Sequence, residues 1–213
     1  SSPYAFKVNS GAARGDFKLP PAGSLLLFLS KKAMTPPADT ATPQVLATLQ
    51  PVGAPQVLRK EPNVLVLDYV DIRAGGELLT NAYFYRANQF AFKKNGMERN
   101  PWDSAVQYKD EFISKKFPAN SGFEAAYHFT IVGNVPANLA VVIERPDLYR
   151  IECNGKPVTE KKGAWWLDKA FGRIPIAKYA QVGENVITLK ATPFTIYHEL
   201  EPIYVLGDFS LKP

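Results

Sequence analysis

Hydrophobic and polar positions alternate with a period of two through much of the second half of this chain. Phe123, Ala125, Tyr127, Phe129 and Ile131 interleave with Glu124, Ala126, His128 and Thr130, the pattern of a half-buried strand. Residues 64–72 and 139–143 are more continuously apolar, as strands covered on both faces are. Tyr149-Arg150-Ile151-Glu152-Cys153 and Lys156-Pro157-Val158 flank Asn154-Gly155, a pair that supplies the positive φ of a type I′ hairpin turn. Gly183-Glu184-Asn185 marks a turn before the strand 186–189, and residues 202–209 form a last strand. Residues 82–94 fit two templates. Tyr83, Ala87, Phe90 and Ala91 have helical spacing with Gly96 as a stop, whereas Tyr83/Tyr85 and Phe90/Phe92 have period two. We read one helix there. The whole predicts an all-β fold, a jelly-roll or β-sandwich with at most one or two short helices.

The first third reads differently. Residues 4–8 alternate as a strand, 15–24 are rich in turn residues, and 25–29 form a short apolar strand. Residues 35–58 then carry Pro36, Pro37, Pro43, Pro51 and Pro55 among Thr, Ala and Gln, an extended and stiff connector. Residues 1–34 are therefore expected to be the closing strands of a preceding β domain, or an edge hairpin. Residues 35–58 are expected to be a linker and 59–213 the main domain.

Composition adds limits. The 213 residues are 46% hydrophobic and 12% aromatic, enough for a sizeable core. Eighteen prolines disfavour long helices. No apolar run approaches the roughly 20 residues that span a bilayer, so no membrane insertion is expected. Cys153 is the only cysteine, which excludes an intrachain disulfide and gives it the character of a small buried hydrophobe. The net charge of +5 is spread over the pairs Lys31-Lys32, Lys93-Lys94, Lys115-Lys116 and Lys161-Lys162. With no nucleic-acid motif present, we read a solvated positive surface and no nucleic-acid partner. The start Ser1-Ser2-Pro3 reads as an excised piece of a longer protein.

Five stretches carry a family likeness: 148–158 (Leu-Tyr-Arg-Ile-Glu-Cys-Asn-Gly-Lys-Pro-Val), 165–168 (Trp-Trp-Leu-Asp), 173–176 (Arg-Ile-Pro-Ile), 183–189 (Gly-Glu-Asn-Val-Ile-Thr-Leu) and 204–209 (Tyr-Val-Leu-Gly-Asp-Phe). Taken in order, they resemble the galactose-binding-like β-sandwich domains attached to bacterial glycoside hydrolases, including family 2 enzymes and α-L-rhamnosidase-like proteins. The resemblance covers about residues 60–213, and 15–30 similarly resembles the closing strands of a small β domain in such hydrolases. It implies a secreted or periplasmic bacterial protein engaged in polysaccharide breakdown. The expected role is a non-catalytic carbohydrate-binding module whose partners are an oligosaccharide or polysaccharide and the parent's catalytic domain. The alternative is a structural accessory domain without glycan binding of its own. In family 2-type enzymes the catalytic carboxylates sit in a separate barrel domain, so no catalytic residue is carried over.

The candidate binding residues are Trp102, Asp103, Arg145, Trp165, Trp166, His198 and Glu199. An exposed indole offers a flat apolar platform for the C–H face of a sugar. In Trp165-Trp166 one ring can fill the core while the other faces out, or both can be buried. Glu98-Arg99-Asn100-Pro101-Trp102-Asp103 mixes an aromatic with hydrogen-bonding groups, suited to a polyhydroxylated ligand or equally to a structural loop capped by Asp103. Arg145 can fork onto sugar hydroxyls, or pair with a carboxylate of Glu144-Arg145-Pro146-Asp147 to steady a bend. In Tyr197-His198-Glu199-Leu200-Glu201, the two glutamates share a face if extended, at a spacing resembling an inverting glycosidase's pair. Strand neighbours project in parallel, however, whereas such a pair must flank the scissile bond, so we read no enzyme. No cofactor is expected. His128 and His198 lack close zinc-ligand partners, while Asp68 with Asp71, or Asp208 with carbonyls, have the chemistry to hold a structural calcium, which stays unassigned.

Limited proteolysis of the native chain is expected to cut within residues 35–58 and leave a stable core beginning near residue 60. Gel and mass analysis of a trypsin or subtilisin time course checks this.

Overall fold

The chain divides into two units, Ser1–Gln56 and Val57–Pro213. The structure, a computed structural model, describes residues 7–28, 32, 45–56, 58–104 and 110–212. In the first unit, β1 (Lys7–Asn9) and β2 (Ala12–Arg14) form an antiparallel hairpin. Ser10 and Gly11 between them have φ of 50° and 77°, as a two-residue I′ turn requires. Of the strand expected at 4–8, residues 4–6 lie outside the described residues. Of the strand expected at 25–29, residue 29 lies outside the described residues, and 25–28 form no strand and have exposed side chains; among the described residues no ladder pairs with them. Of the expected linker, 35–44 and 57 lie outside the described residues, and 45–56 and 58 hold no helix or strand.

The second unit contains β3 (Asn63–Leu67), β4 (Tyr69–Ala74), β5 (Glu77–Tyr83), α1 (Phe84–Lys94) and α2 (Asp110–Ile113). There follow β6 (Phe123–Ile131), β7 (Ala140–Glu144), β8 (Arg150–Cys153), β9 (Lys156–Val158) and β10 (Trp165–Trp166). Then come β11 (Asp168–Pro175), β12 (Gly183–Ala191) and β13 (Ile203–Gly207). They make two antiparallel sheets, one in the order β10-β11-β7-β13-β3 and the other β5-β4-β6-β12-β8-β9. This is an all-β sandwich with short helices, as the alternation predicts. No helix among the described residues is long and apolar enough to cross a membrane.

The run 64–72, expected as one strand, is two. It breaks at Asp68, whose carbonyl accepts the Phe84 amide at 2.8 Å. β3 belongs to the five-stranded sheet and β4 to the six-stranded one, so one continuous apolar run lines both walls. The helix read at 82–94 is present as α1, with its first two residues closing β5 instead. Ala87, Asn88, Ala91 and Phe92 are its buried positions, the spacing of one helical face.

Between the sheets lie Ile72, Tyr127, Ile151, Cys153, Ile187 and Leu189 from one wall and Val141, Ile143, Ile174, Ile203 and Val205 from the other. Each large side chain so placed contributes about 1.5–3 kcal/mol relative to exposure. Tyr127 sits wholly inside because its hydroxyl reaches the Glu201 carbonyl at 2.7 Å. Outward, β6 presents Glu124, His128 and Thr130 to solvent.

The outward face of the five-stranded sheet is apolar by comparison. Register aligns Arg173, Val142, Tyr204 and Val66 in one row, and Trp166 leans on Tyr204 at 5.4 Å. At the sheet's edge, β3 pairs with β13, Asn63 opposite Gly207. Arg59 and Asn63 both donate to the Phe209 carbonyl.

Two asparagines lock the turns at the far end of β12. Asn154 and Gly155 have φ of 51° and 73°, the expected I′ geometry, and the β8–β9 hairpin follows. β12 begins at Gly183 itself, so the turn lies just before it. Buried Asn185 organises that turn, donating to the Gln181 and Gly183 carbonyls and accepting from the Gln181 amide and Asn154 Nδ2. Asn185→Ala strands several of these groups without a partner. It should cost about 1–3 kcal/mol of stability, read as a lower urea midpoint at unchanged slope.

Candidate functional site

One end of the sandwich gathers polar side chains around the segment between β12 and β13. Burial alternates along it: Phe194, Ile196, His198 and Leu200 point in, while Tyr197 is exposed and Glu199 half-buried. Phe194 anchors the segment, with Phe92, Phe117 and Phe123 rings 4.9–6.2 Å away. Helix α1 supplies two amides. Asn88 Oδ1 accepts the Leu200 amide, and Gln89 accepts the Asn100 amide while donating to Asp103.

Asn100 is fully buried. Its Nδ2 donates to Glu199 Oε1 at 2.8 Å and to Asp103 Oδ1 at 3.4 Å, and its Oδ1 accepts the Trp102 amide. Trp102 is half-buried against the core, its Nε1 donating to the Ile196 carbonyl at 2.7 Å. The Tyr197 ring stacks on it, centroids 6.1 Å apart and planes 20° from parallel. Tyr197 is 44% exposed, so the pair forms a two-ring platform with one ring in solvent. Beside it stand Asp103, Glu199 and Glu201, with Glu144 at the end of β7.

Burial raises the Glu199 carboxyl above the usual range, against the hydrogen bond from Asn100, and Glu144 and Asp103 add repulsion. Glu201 is pushed up to about 7, first by burial and then by Glu199, Glu144 and Asp103. Tyr149 donates its hydroxyl to the Glu199 carbonyl, and burial holds its pKa well above the tyrosine range.

Among the residues singled out from sequence, Trp102, Asp103 and Glu199 come together here. His198 lies directly beneath, 4% exposed, with Nε2 donating to the Leu148 carbonyl and Nδ1 accepting the Thr195 amide. Those partners fix the neutral tautomer, and burial lowers the His198 pKa. Arg145, in the left-handed region at φ 47°, forks onto Asp147 at 2.8–2.9 Å and steadies its bend. Trp165 and Trp166 lie apart from this group, on the edge strand of the five-stranded sheet; Trp165 is 51% exposed and Trp166 is half-buried. Tyr197, Asn100, Gln89 and Tyr149 belong to the end group as well. For Tyr197 the signal was the two-residue spacing of 194–200, which sets Tyr197 and Glu199 on the side opposite His198; Asn100, Gln89 and Tyr149 join through long-range hydrogen bonds that local spacing does not show.

A groove of about 600 Å³ opens elsewhere between the sheets, lined by Leu65, Phe129, Ile131, Leu139, Val205 and Phe209 among others. Among the described residues, no group of three His, Cys, Asp or Glu side chains is placed to hold a metal ion. Asp71, one of the calcium candidates, accepts the Asn81 amide and faces His128 at 3.4 Å. No protein-family model matches the chain, and no curated protein matches it in sequence.

The raised Glu201 pKa has a signed consequence. Between about 4.5 and 7 the folded protein holds a proton that the unfolded chain releases. Its contribution is fully present below 4.5 and drains away as pH rises through 7. His198 acts oppositely, withdrawing stability as pH falls through its unfolded value of 6.5. Glu201→Gln should therefore gain stability relative to wild type as pH rises from 4.5 past 7. The His198 contribution is common to both proteins and cancels in the difference, which denaturant titrations across that range measure.

Proposed function

We propose that the 57–213 unit is a non-catalytic carbohydrate-binding module of a secreted or periplasmic multidomain glycoside hydrolase. The observation that carries this reading is the Trp102–Tyr197 platform with Asp103 and Glu199 beside it. A sugar offers a C–H face to an aromatic ring and hydroxyls to aimed acceptors, and this corner presents both side by side. The resemblance of residues 60–213 to galactose-binding-like domains supports the same conclusion independently.

Two carboxylates beside each other raise the question of chemistry. Glu199 and Glu201 leave one short segment on its way into β13, and a hydrolytic pair must approach its substrate from opposite sides. They fit hydrogen-bond acceptors better. A structural accessory role is favoured by a separate observation, the apolar outward row of the five-stranded sheet, where Val66 is exposed and Trp166 leans on Tyr204. The register itself places Val66 and Tyr204 on that face, and an exposed apolar position there suits packing against another domain of the parent.

Calorimetry with a panel of neutral oligosaccharides and pull-down on insoluble polysaccharides tests the reading. Affinity is expected on the order of micromolar to millimolar and nearly insensitive to salt. Tyr197→Ala should remove measurable binding while moving the melting temperature little, because the ring is half in solvent. Trp102→Ala should lower the melting temperature, because it empties part of the core and frees the Ile196 carbonyl. Binding lost in Trp165→Ala but kept in Tyr197→Ala would move the site to the sheet edge. A panel without any binder would leave the accessory-domain reading.

A further inference from the structure

The outward face of the six-stranded sheet carries a row of charges that the platform does not use. Register sets Arg73 of β4 opposite Glu124 of β6, Glu124 opposite Lys190 of β12, and Lys190 opposite Arg150 of β8. Neighbouring strands lie about 4.8 Å apart. Lys190 is satisfied, held by Glu152 at 2.8 Å with Glu124 at 3.9 Å. Arg73 and Arg150 are exposed, and among the described residues neither side chain has an ion pair or hydrogen bond.

Both arginines border one hollow of about 240 Å³, which also meets Lys190, Glu124 and the Gly75-Gly76 turn. Its far wall is the loop around Ser121 and Gly122. Most polar groups of that wall are committed inside the fold. The Gly122 amide donates to Asn95, Ser121 Oγ bonds the Pro118 carbonyl and the Phe194 amide, and Thr192 Oγ1 bonds the Ala191 carbonyl. A Cβ at position 122 would stand 1.9 Å from the Ala191 carbonyl oxygen, so the wall approaches as closely as a glycine allows. What the hollow offers a visitor is therefore cationic: Arg73 and Arg150, beside a Lys190 already held by Glu152 and the single lining carboxylate Glu124. Its volume is below the roughly 300–1,000 Å³ of sites for larger ligands, the room of one ring or one charged group.

We propose that this hollow binds an oxyanion, the carboxylate of a uronate residue or a sulfate ester, carried on an acidic saccharide. Guanidinium groups match both anions because each presents two oxygens to their planar fork. Anion capture follows from two exposed arginines that border this hollow from the two ends of the row; the saccharide as carrier rests on the glycan-binding reading. The site is separate from the Trp102–Tyr197 platform, and its affinity falls with salt where that of the platform does not.

The test titrates the full chain with tri-galacturonate, its methyl ester, a sulfated galacto-oligosaccharide and sodium sulfate, followed by calorimetry and by NMR of arginine side chains. Binding of tri-galacturonate or the sulfated sugar, with shifts at Arg73 and Arg150, supports the proposal and identifies the preferred oxyanion. Arg73→Gln and Arg150→Gln should each weaken it about tenfold, and raising NaCl from low to physiological concentration should weaken it further. Tyr197→Ala should leave it unchanged. Equal binding by the methyl ester, or wild-type affinity in the double arginine variant at an unchanged melting temperature, overturns the site. Shifts with sulfate but with neither acidic sugar keep anion capture and overturn the saccharide carrier. Loss of neutral-glycan binding alone counts against the platform and not against this hollow.

Discussion

The corner that gathers the candidate site depends on one buried amide. Asn100 is removed from water, and an unpaired polar group there costs on the order of 1–3 kcal/mol. The fold meets that demand with Glu199, Asp103 and the Trp102 amide. Glu199 belongs to the segment before β13, Asp103 and Trp102 to the turn after Asn100, and the Asn100 amide itself is received by Gln89 of α1. Helix, turn and terminal segment are thus fixed against one another through a single side chain. The Trp102–Tyr197 platform is a result of that fixation, because Trp102 is positioned by the turn and Tyr197 by the segment. Glu199 is half-buried for the same reason, and burial raises its pKa.

The two outward faces of the sandwich divide the surface chemistry. On the six-stranded sheet, a charged row of Arg73, Glu124, Lys190 and Arg150 crosses the strands, and its two arginines have no side-chain partner among the described residues. On the five-stranded sheet, the equivalent row is Val66, Tyr204, Val142 and Arg173, apolar but for its last member, with Trp166 resting on the tyrosine.

Much of the architecture was legible in the chain. β6 reproduces the alternation of residues 123–131, and the Asn154-Gly155 turn follows from the need for two positive φ values. The break at Asp68 was not legible, since residues 64–72 are apolar on both sides of it and only the destination of each half distinguishes them. Within the site, residue types were readable and their meeting was not. Asn100 and Glu199 are far apart in sequence, and local pattern carries no information on which distant turn will face which. His198 is the instructive case. Its composition suggested a ligand-facing group, while the spacing it shares with Phe194, Ile196 and Leu200 placed it on the inner side. Periodicity described its environment better than residue type did.

The pairing of β3 with β13 has a mechanical side. Asn63 faces Gly207, and Arg59 reaches the Phe209 carbonyl, so the chain enters and leaves the unit at adjacent points on one edge. Tension applied between residues 59 and 209 would act across the ladder rather than along it. The rungs would then open in succession, as a zip does, each bearing the load alone. Shear along the strands would instead load all of them together. The unit is therefore built to yield at low force when pulled by its own ends, and to resist far better when gripped through its faces.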